Sequence, residues 1–226
     1  VSFYTGGFPA ALPGDPTIVS PVTICNLDGQ SEPEIVLGYS SSETGNRYGR
    51  VSALDSNASE LWRFSGVRQC GSPAVADMDG DGTMEVVAAI PGSPGSDTDT
   101  LYVFNGEAGS SGNRVWKRVP VGEILAASVL ADLAPLDGRP EVALVDDVSD
   151  PDGGRISVWD FAPSQPALRW SRSLEFDLGP PSWSPPTIVN LGTREADLAC
   201  WKRCYSPLTF GCYGAADDTV RWETEP

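Results

Sequence analysis

A chain of 226 residues, 40% of them apolar, is long enough for one large domain or two ordinary ones and has the side chains for a real core, so it is not a disordered chain. Asp and Glu number 31 against 15 Lys and Arg, a formal charge of −16 that opposes nucleic-acid backbones and anionic membrane surfaces, and the absence of His removes the usual general base and the commonest transition-metal ligand. No apolar run reaches membrane-spanning length and Val1-Ser2-Phe3-Tyr4 is not a basic region followed by an apolar one, so no membrane insertion is expected and no signal peptide is visible.

Residues 1–19 are rich in Gly and Pro and read as a lead-in segment, not a domain. From Ser20 onward a four-strand pattern repeats over approximately 20–66, 72–118, 127–173 and 184–226. Each copy opens on a short apolar run, as in Pro21-Val22-Thr23-Ile24, Pro73-Ala74-Val75-Ala76, Ser128-Val129-Leu130-Ala131 and Pro186-Thr187-Ile188-Val189. An acidic residue then leads a second run at Glu34, Glu85, Glu141 and Asp197. A third run follows, such as Gly49-Arg50-Val51-Ser52 or Gly154-Arg155-Ile156-Ser157, and the fourth carries a Trp. Those Trp residues, 62, 116, 170 and 222, recur 54, 54 and 52 residues apart.

Four short strands per unit of roughly fifty residues, turn residues between them and no helical periodicity predict an all-β fold, a β-propeller of four-stranded antiparallel blades. One four-stranded sheet has two apolar faces and cannot bury them alone, whereas stacked blades cover one another, and the recurring Trp suits a wedge between neighbours. A solenoid of four sheets is the rival architecture for a period of this size.

The stretch Asp77-Met78-Asp79-Gly80-Asp81-Gly82-Thr83-Met84-Glu85 places carboxylates at positions 1, 3, 5 and 9 of nine residues. Such a cluster repels itself unless a hard, oxygen-seeking divalent cation sits within it, and Gly80 and Gly82 permit the tight curl, so Ca2+ is the expected ion. An EF-hand is excluded, because its bidentate acid would fall on Ala88 and a buried strand, not a helix, follows Glu85. An acidic turn that binds nothing is the bland alternative.

The five cysteines, Cys25, Cys70, Cys200, Cys204 and Cys212, lack the spacing of a zinc ribbon. With a calcium loop beside them they suggest an extracellular, cell-surface or periplasmic protein with bridges Cys204–Cys212 and Cys25–Cys70; buried free thiols are the alternative. Asn57-Ala58-Ser59 is a glycosylation acceptor pattern in a turn.

The repeats resemble the FG-GAP or VCBS repeats of integrin-α-type β-propellers, over residues 20 to 222. In that family the loop between a blade's first two strands binds calcium through side chains at positions 1, 3, 5 and 9 and the carbonyl at position 7. The resemblance therefore implies Asp77, Asp79, Asp81, the carbonyl of Thr83, and Glu85 as ligands, with Glu in place of the final Asp. Asn26, Asp28, Gln30 and Glu34 fall at positions 1, 3, 5 and 9 of the first copy and imply a weaker second site. The third and fourth copies have lost most of the pattern and imply loops without metal. Family members usually have seven blades, so four repeats imply a closed four-bladed ring or part of a larger one, completed by further blades from the same or another chain.

Two functions follow. The leading reading is a non-catalytic, calcium-stabilised adhesion or binding module for a glycan or protein, with Tyr48, Trp183, Trp201 and Tyr205 as candidate contact residues; packing between blades is the alternative role for them. The competing reading is an accessory or catalytic domain of a polysaccharide-degrading enzyme, in which Asp146 with Asp147, or Asp217 with Asp218, would be an acid–base pair. Adjacent Asp residues on a polar turn are usually solvated, which favours the first.

Overall fold

The structure, a computed structural model, describes residues 12, 16, 21–43, 46–66, 72–92, 99–106, 115–124, 127–133, 137–147, 154–161, 165–173, 182–183, 186–189, 197–203, 208–214 and 219–224. Among them there is no helix, and every element is a strand. The first sheet holds β1 (Thr23–Cys25), β2 (Glu34–Glu43), β3 (Asn46–Leu54) and β4 (Glu60–Ser65). The second holds β5 (Ala74–Ala76), β6 (Glu85–Ile90), β7 (Asp99–Asn105) and β8 (Val115–Val121). The third holds β9 (Glu123–Ile124), β10 (Val129–Ala131), β11 (Glu141–Asp147), β12 (Gly154–Asp160) and β13 (Ala167–Ser173). The fourth holds β14 (Ser182–Trp183), β15 (Thr187–Val189), β16 (Asp197–Arg203), β17 (Leu208–Gly214) and β18 (Val220–Thr224).

Each sheet is a meander in which successive strands are neighbours. Sequence neighbours are thus joined as antiparallel hairpins, as at the turn from Asp55 to Ser59 between β3 and β4. In the third and fourth sheets the leading strand comes in two pieces, β9 with β10 on β11 and β14 with β15 on β16. The third sheet accordingly begins at Glu123, ahead of the repeat limit expected at 127.

The registers superimpose from repeat to repeat. Trp62 pairs with Ala53, Trp170 with Val158 and Trp222 with Cys212, and the register shifts immediately after Ala53, Val158 and Cys212. A bulge at the same place in these three repeats bends the edge strand and takes up one extra residue there. The exposed turn before β4 is held by Asp55, whose Oδ1 accepts the amides of Asn57 and Ser59 at 2.8 Å each, with Ala58 at φ 65°. The Asn57 glycosylation pattern sits in that turn.

By backbone compactness the chain divides into two units, residues 1–75 with 82–118, and residues 76–81 with 119–226. In the first, Leu27, Val36, Val51, Ala53 and Trp62 of the first repeat are buried together with Val86, Ala88, Ile90 and Phe104 of the second. Trp62 lies 5.9 Å from Phe104, and Phe64 lies 4.9 Å from Phe104 and 5.1 Å from Tyr102, so an aromatic cluster joins these two sheets. In the second unit, Leu133, Ala143, Val145, Ile156 and Val158 form the core, with Trp170 and Ile188 packed against it. Strand β6 is buried along its whole length, which explains why Glu85 to Ile90 reads as a continuous apolar run and does not alternate.

Candidate metal loop

The second sheet's first connection, from Ala76 to Glu85, carries the acidic motif. Its curl is set by the first acid: Asp77 Oδ1 accepts the amides of Gly80 at 2.7 Å and Asp81 at 3.1 Å, while Asp79 Oδ1 accepts the Asp81 amide at 3.2 Å. Gly80 and Gly82 have φ of 78° and 90°, a conformation that an L side chain resists, which is why glycine stands at both. Arg139 lies against Gly80, its Cγ 3.5 Å from where a Cβ would stand.

Asp77, Asp79 and Glu85 each bring one carboxylate oxygen to within 4.8 Å of the others. Calcium binds oxygen at about 2.3–2.6 Å, so an ion among these three reaches all of them. Glu85 is buried, Asp77 and Asp79 are half-buried, and a cation there would relieve their mutual repulsion. Asp81 is exposed at the loop tip and lies outside this triad, and its amide donates to Asp77 Oδ1. Thr83, expected to offer its carbonyl, is half-buried between the tip and Glu85.

The first repeat's loop, the expected weaker site, is closed by its own hydrogen bonds. The Asn26 side-chain amide donates to the Gln30 carbonyl, and the Gln30 amide donates to Asp28 Oδ1 at 2.9 Å. Asn26 thus turns a donor, not an acceptor, into the loop. Glu34 is buried and accepts the Leu27 amide at 2.7 Å. The same lock recurs in the third repeat, where buried Glu141 accepts the Leu133 amide at 2.8 Å. The acids that open β2 and β11 therefore have a structural task, pinning the loop to the sheet, before any metal is considered.

In the third loop, cationic side chains stand beside the acids. Arg169 Nη2 lies 3.0 Å from Glu141 Oε1 and 2.7 Å from Asp160 Oδ2. Asp132 accepts the amides of Asp137 and Gly138, and Asp137 accepts Arg139 Nη2 at 2.7 Å. That hydrogen bond from Arg139 holds the Asp137 carboxyl below its ordinary range. The fourth loop, residues 190–196, lies outside the described residues.

The connection around Gly106 was not foreseen. Its amide donates to the Met84 carbonyl at 2.9 Å, and its carbonyl accepts Trp62 Nε1 at 3.1 Å. The residue just before Glu85 is thereby linked to the first sheet's Trp. The signal in the sequence is the Asn105-Gly106 pair ending the third run, which reads there as an ordinary turn.

Asp146 is fully buried and its carboxylate is committed: Arg155 donates to it through Nε at 3.1 Å and Nη2 at 2.6 Å, and the Gly122 amide donates at 2.8 Å. This corrects the acid–base reading of Asp146 with Asp147, since an oxygen so enclosed does not reach a glycosidic bond. Asp217 and Asp218 lie outside the described residues. Cys25 is a half-buried free thiol, pushed up to about 11 by burial and by the negative charge of Glu34, so the expected Cys25–Cys70 bridge is not formed. Cys70 and Cys204 lie outside the described residues, and with Cys204 goes the expected Cys204–Cys212 bridge.

The candidate contact aromatics that are described fall on the first and fourth sheets. Tyr48, on β3, is half-buried, with the Arg50 guanidinium 5.8 Å from its ring centroid. Trp183 and Trp201 stand on the adjacent strands β14 and β16, where Trp183 pairs with Lys202. Tyr205 lies outside the described residues.

No protein-family model matches the chain, and no curated protein is significantly similar to it. Solved structures are similar. The exotype rhamnogalacturonan lyase YesX aligns with a TM-score of 0.53 and 16% identity over 98% of this chain and 51% of its own. Rhamnogalacturonan lyase YesW aligns with a TM-score of 0.51 and 14% identity over 91% of this chain and 50% of its own. The V. cholerae biofilm matrix protein Bap1 aligns at a TM-score of 0.40 and 16% identity, over 93% of this chain and 39% of its own. The chain spans about half the length of the two lyases, and its all-β fold is shared with that half.

Proposed function

We propose that this chain is a β-propeller portion of a polysaccharide-degrading protein, its four sheets being blades and its second loop a calcium site that stiffens one end of the second blade. The observation that carries this reading is the fold shared with half of each of two rhamnogalacturonan lyases, over 98% and 91% of this chain. The repeated registers and the Trp wedges support the blades, and the FG-GAP-like acid spacing supports the ion. Bound calcium draws on Asp77, Asp79 and Glu85, and the loop's own amides hold those acids in place. Because cytosolic calcium is scarce, such a site operates outside the cytosol.

The chain's part in that protein is to bind and present the polymer. Enclosure of Asp146 by Arg155 and Gly122 takes away one of the two candidate acid–base pairs, which favours a carbohydrate-binding role over a catalytic one. A charge of −16 repels an acidic polysaccharide unless a divalent cation screens or bridges it, so calcium serves both the fold and the encounter. The test is a panel of neutral and acidic polysaccharides, probed with calcium and with EDTA, alongside an ultraviolet assay for the double bond that a lyase introduces. Calcium-dependent retention on at least one polymer is expected. Retention on none, with or without calcium, overturns the carbohydrate reading.

A further inference from the structure

The third repeat's loop, which has lost the metal pattern, is folded around Arg139. Asp132 Oδ1 accepts the Asp137 amide at 3.3 Å and Asp132 Oδ2 accepts the Gly138 amide at 2.9 Å, with Gly138 at φ 84°. Asp137 then grips Arg139 at both ends: its Oδ1 accepts the Arg139 backbone amide at 3.1 Å and its Oδ2 accepts Nη2 at 2.7 Å. Carboxylates that in the second repeat draw together are here engaged by amides and by one guanidinium. Arg169 takes up Glu141 and Asp160, so among the described residues Asp137 is the one carboxylate within ion-pair distance of Arg139.

The side chain held in this way lies on the metal loop. Cγ and Cδ of Arg139 are 3.5 and 3.7 Å from where a Gly80 Cβ would stand, ordinary van der Waals distances. Gly80 is the corner of that loop, its amide donating to Asp77 Oδ1 at 2.7 Å and its neighbours in the chain being Asp79 and Asp81. Residues 76–81 belong to the same compact unit as Arg139. The guanidinium is bonded directly to Cδ, so a permanent positive charge stands beside the loop in which three carboxylates meet. An ion pair as exposed as Arg139 with Asp137 adds little to stability, which leaves the field it imposes on the neighbouring loop as its main effect.

We propose that Arg139 of the third repeat sets the calcium affinity of the second repeat's loop: its charge opposes the ion, and Asp137 restrains the guanidinium from the loop's own carboxylates. The proposal rests on the calcium reading above and is independent of the carbohydrate. Without Asp137, the guanidinium is released beside the acids of the metal loop and competes with the ion for them. Without the Arg139 charge, Asp137 stands uncompensated near the loop and adds to its attraction for a cation. In water, a unit charge about 8 Å from a divalent ion changes its affinity about fivefold, and physiological salt reduces the effect.

Calorimetric titration of the full chain with calcium, at low ionic strength and again in about 0.5 M salt, tests this. Arg139→Met keeps an aliphatic stem on Gly80 and removes the charge; it is expected to bind calcium about fivefold more tightly than wild type at low ionic strength, with the gain falling below about twofold in salt. Arg139→Gln does the same. Asp137→Asn binds about threefold or more weakly, and the double variant Arg139→Met with Asp137→Asn returns to within about twofold of wild type. Melting midpoints in EDTA that match wild type show that each variant keeps its scaffold. Affinity unchanged or weakened in both Arg139 variants overturns the proposal and leaves the calcium site standing, as does a gain that salt does not reduce, which assigns the effect to packing. Asp137→Asn with wild-type affinity overturns the restraint. No calcium heat in wild type overturns the calcium reading itself, and this proposal with it.

Discussion

Gly106→Ala separates steric demand from backbone preference at the junction behind the metal loop. Gly106 is not in the left-handed region, so with room to spare an alanine would stabilise the protein by about 0.4–1 kcal/mol through the unfolded chain alone. There is no room. A Cβ would lie 2.2 Å from the Met84 carbonyl oxygen and 2.9 Å from Leu27 Cδ2. Leu27 can rotate, but the carbonyl is backbone and is itself the acceptor for the Gly106 amide at 2.9 Å. Relief requires the two strands to part, at about 1–3 kcal/mol for overpacking and about 1 kcal/mol for each weakened hydrogen bond, those to Met84 and from Trp62. The expected net loss is about 3 kcal/mol, read as a lower urea midpoint by circular dichroism and Trp emission. Calorimetry should also show weaker calcium binding, since Met84 leads directly into Glu85. Gly29→Ala is the control: no atom lies within 4 Å of its Cβ, and only its φ of 72° opposes the change, at about 1 kcal/mol. A Gly106→Ala protein as stable as wild type would refute the coupling.

Three further outcomes are expected. Calcium at a hundredfold excess over its dissociation constant should stabilise the fold by about 2.7 kcal/mol, so EDTA lowers the melting midpoint of wild type and leaves that of Asp79→Ala unchanged; equal midpoints for wild type with and without EDTA would reduce the loop to a turn. Cys25 titrates in the folded protein near 11, above the ordinary 9.0, so the folded state holds its proton more tightly and this thiol's contribution to stability is complete below pH 9 and is lost as pH rises toward 11. Alkylation of Cys25 against pH, followed by peptide mapping, should have its midpoint near 11, and a midpoint at the ordinary value would show that the thiol is solvated. Asp146→Asn leaves the largely enclosed Arg155 guanidinium without its carboxylate and should lower stability by about 3 kcal/mol in denaturant titration, with loss below 1 kcal/mol counting against the structural role given to this pair.

The repeat was legible because it is written in residue types that the fold cannot exchange cheaply. A Trp that must pack between sheets, a Gly or Asp at each turn and an acid at the head of each second strand survive even where loops diverge. The metal loop was legible for the same reason, since alternate carboxylates have few other uses. What stayed hidden were relations between repeats. Nothing in the string Asn105-Gly106 announces that this glycine is clamped between Met84 and Trp62, and nothing around Asp146 and Asp147 tells that Arg155, nine residues on, folds back across the hairpin onto the first of them. Cys25 was misread because oxidation was inferred from compartment, whereas the thiol's surroundings are a half-buried strand beside Glu34.

The three described acidic loops form a series in which one scaffold is stabilised in different ways. In the first and third, Glu34 and Glu141 bind the amide of a buried aliphatic residue, Leu27 or Leu133, one residue into the loop. In the second, buried Met78 stands at that place and the acid is Glu85. What differs is the charge around the acid. The first loop spreads its polar groups among Asn26, Asp28 and Gln30 and closes with neutral hydrogen bonds. The third sets Arg169 across Glu141 and Asp160, a covalently attached cation that no chelator removes. Only the second draws three carboxylates together among the described residues. The proposed ion is therefore expected at the second loop, and removing calcium should loosen the second repeat while the hairpins of the first and third keep their hydrogen-exchange protection. Uniform loss of protection across all three would mean that the ion holds the whole chain and not one repeat.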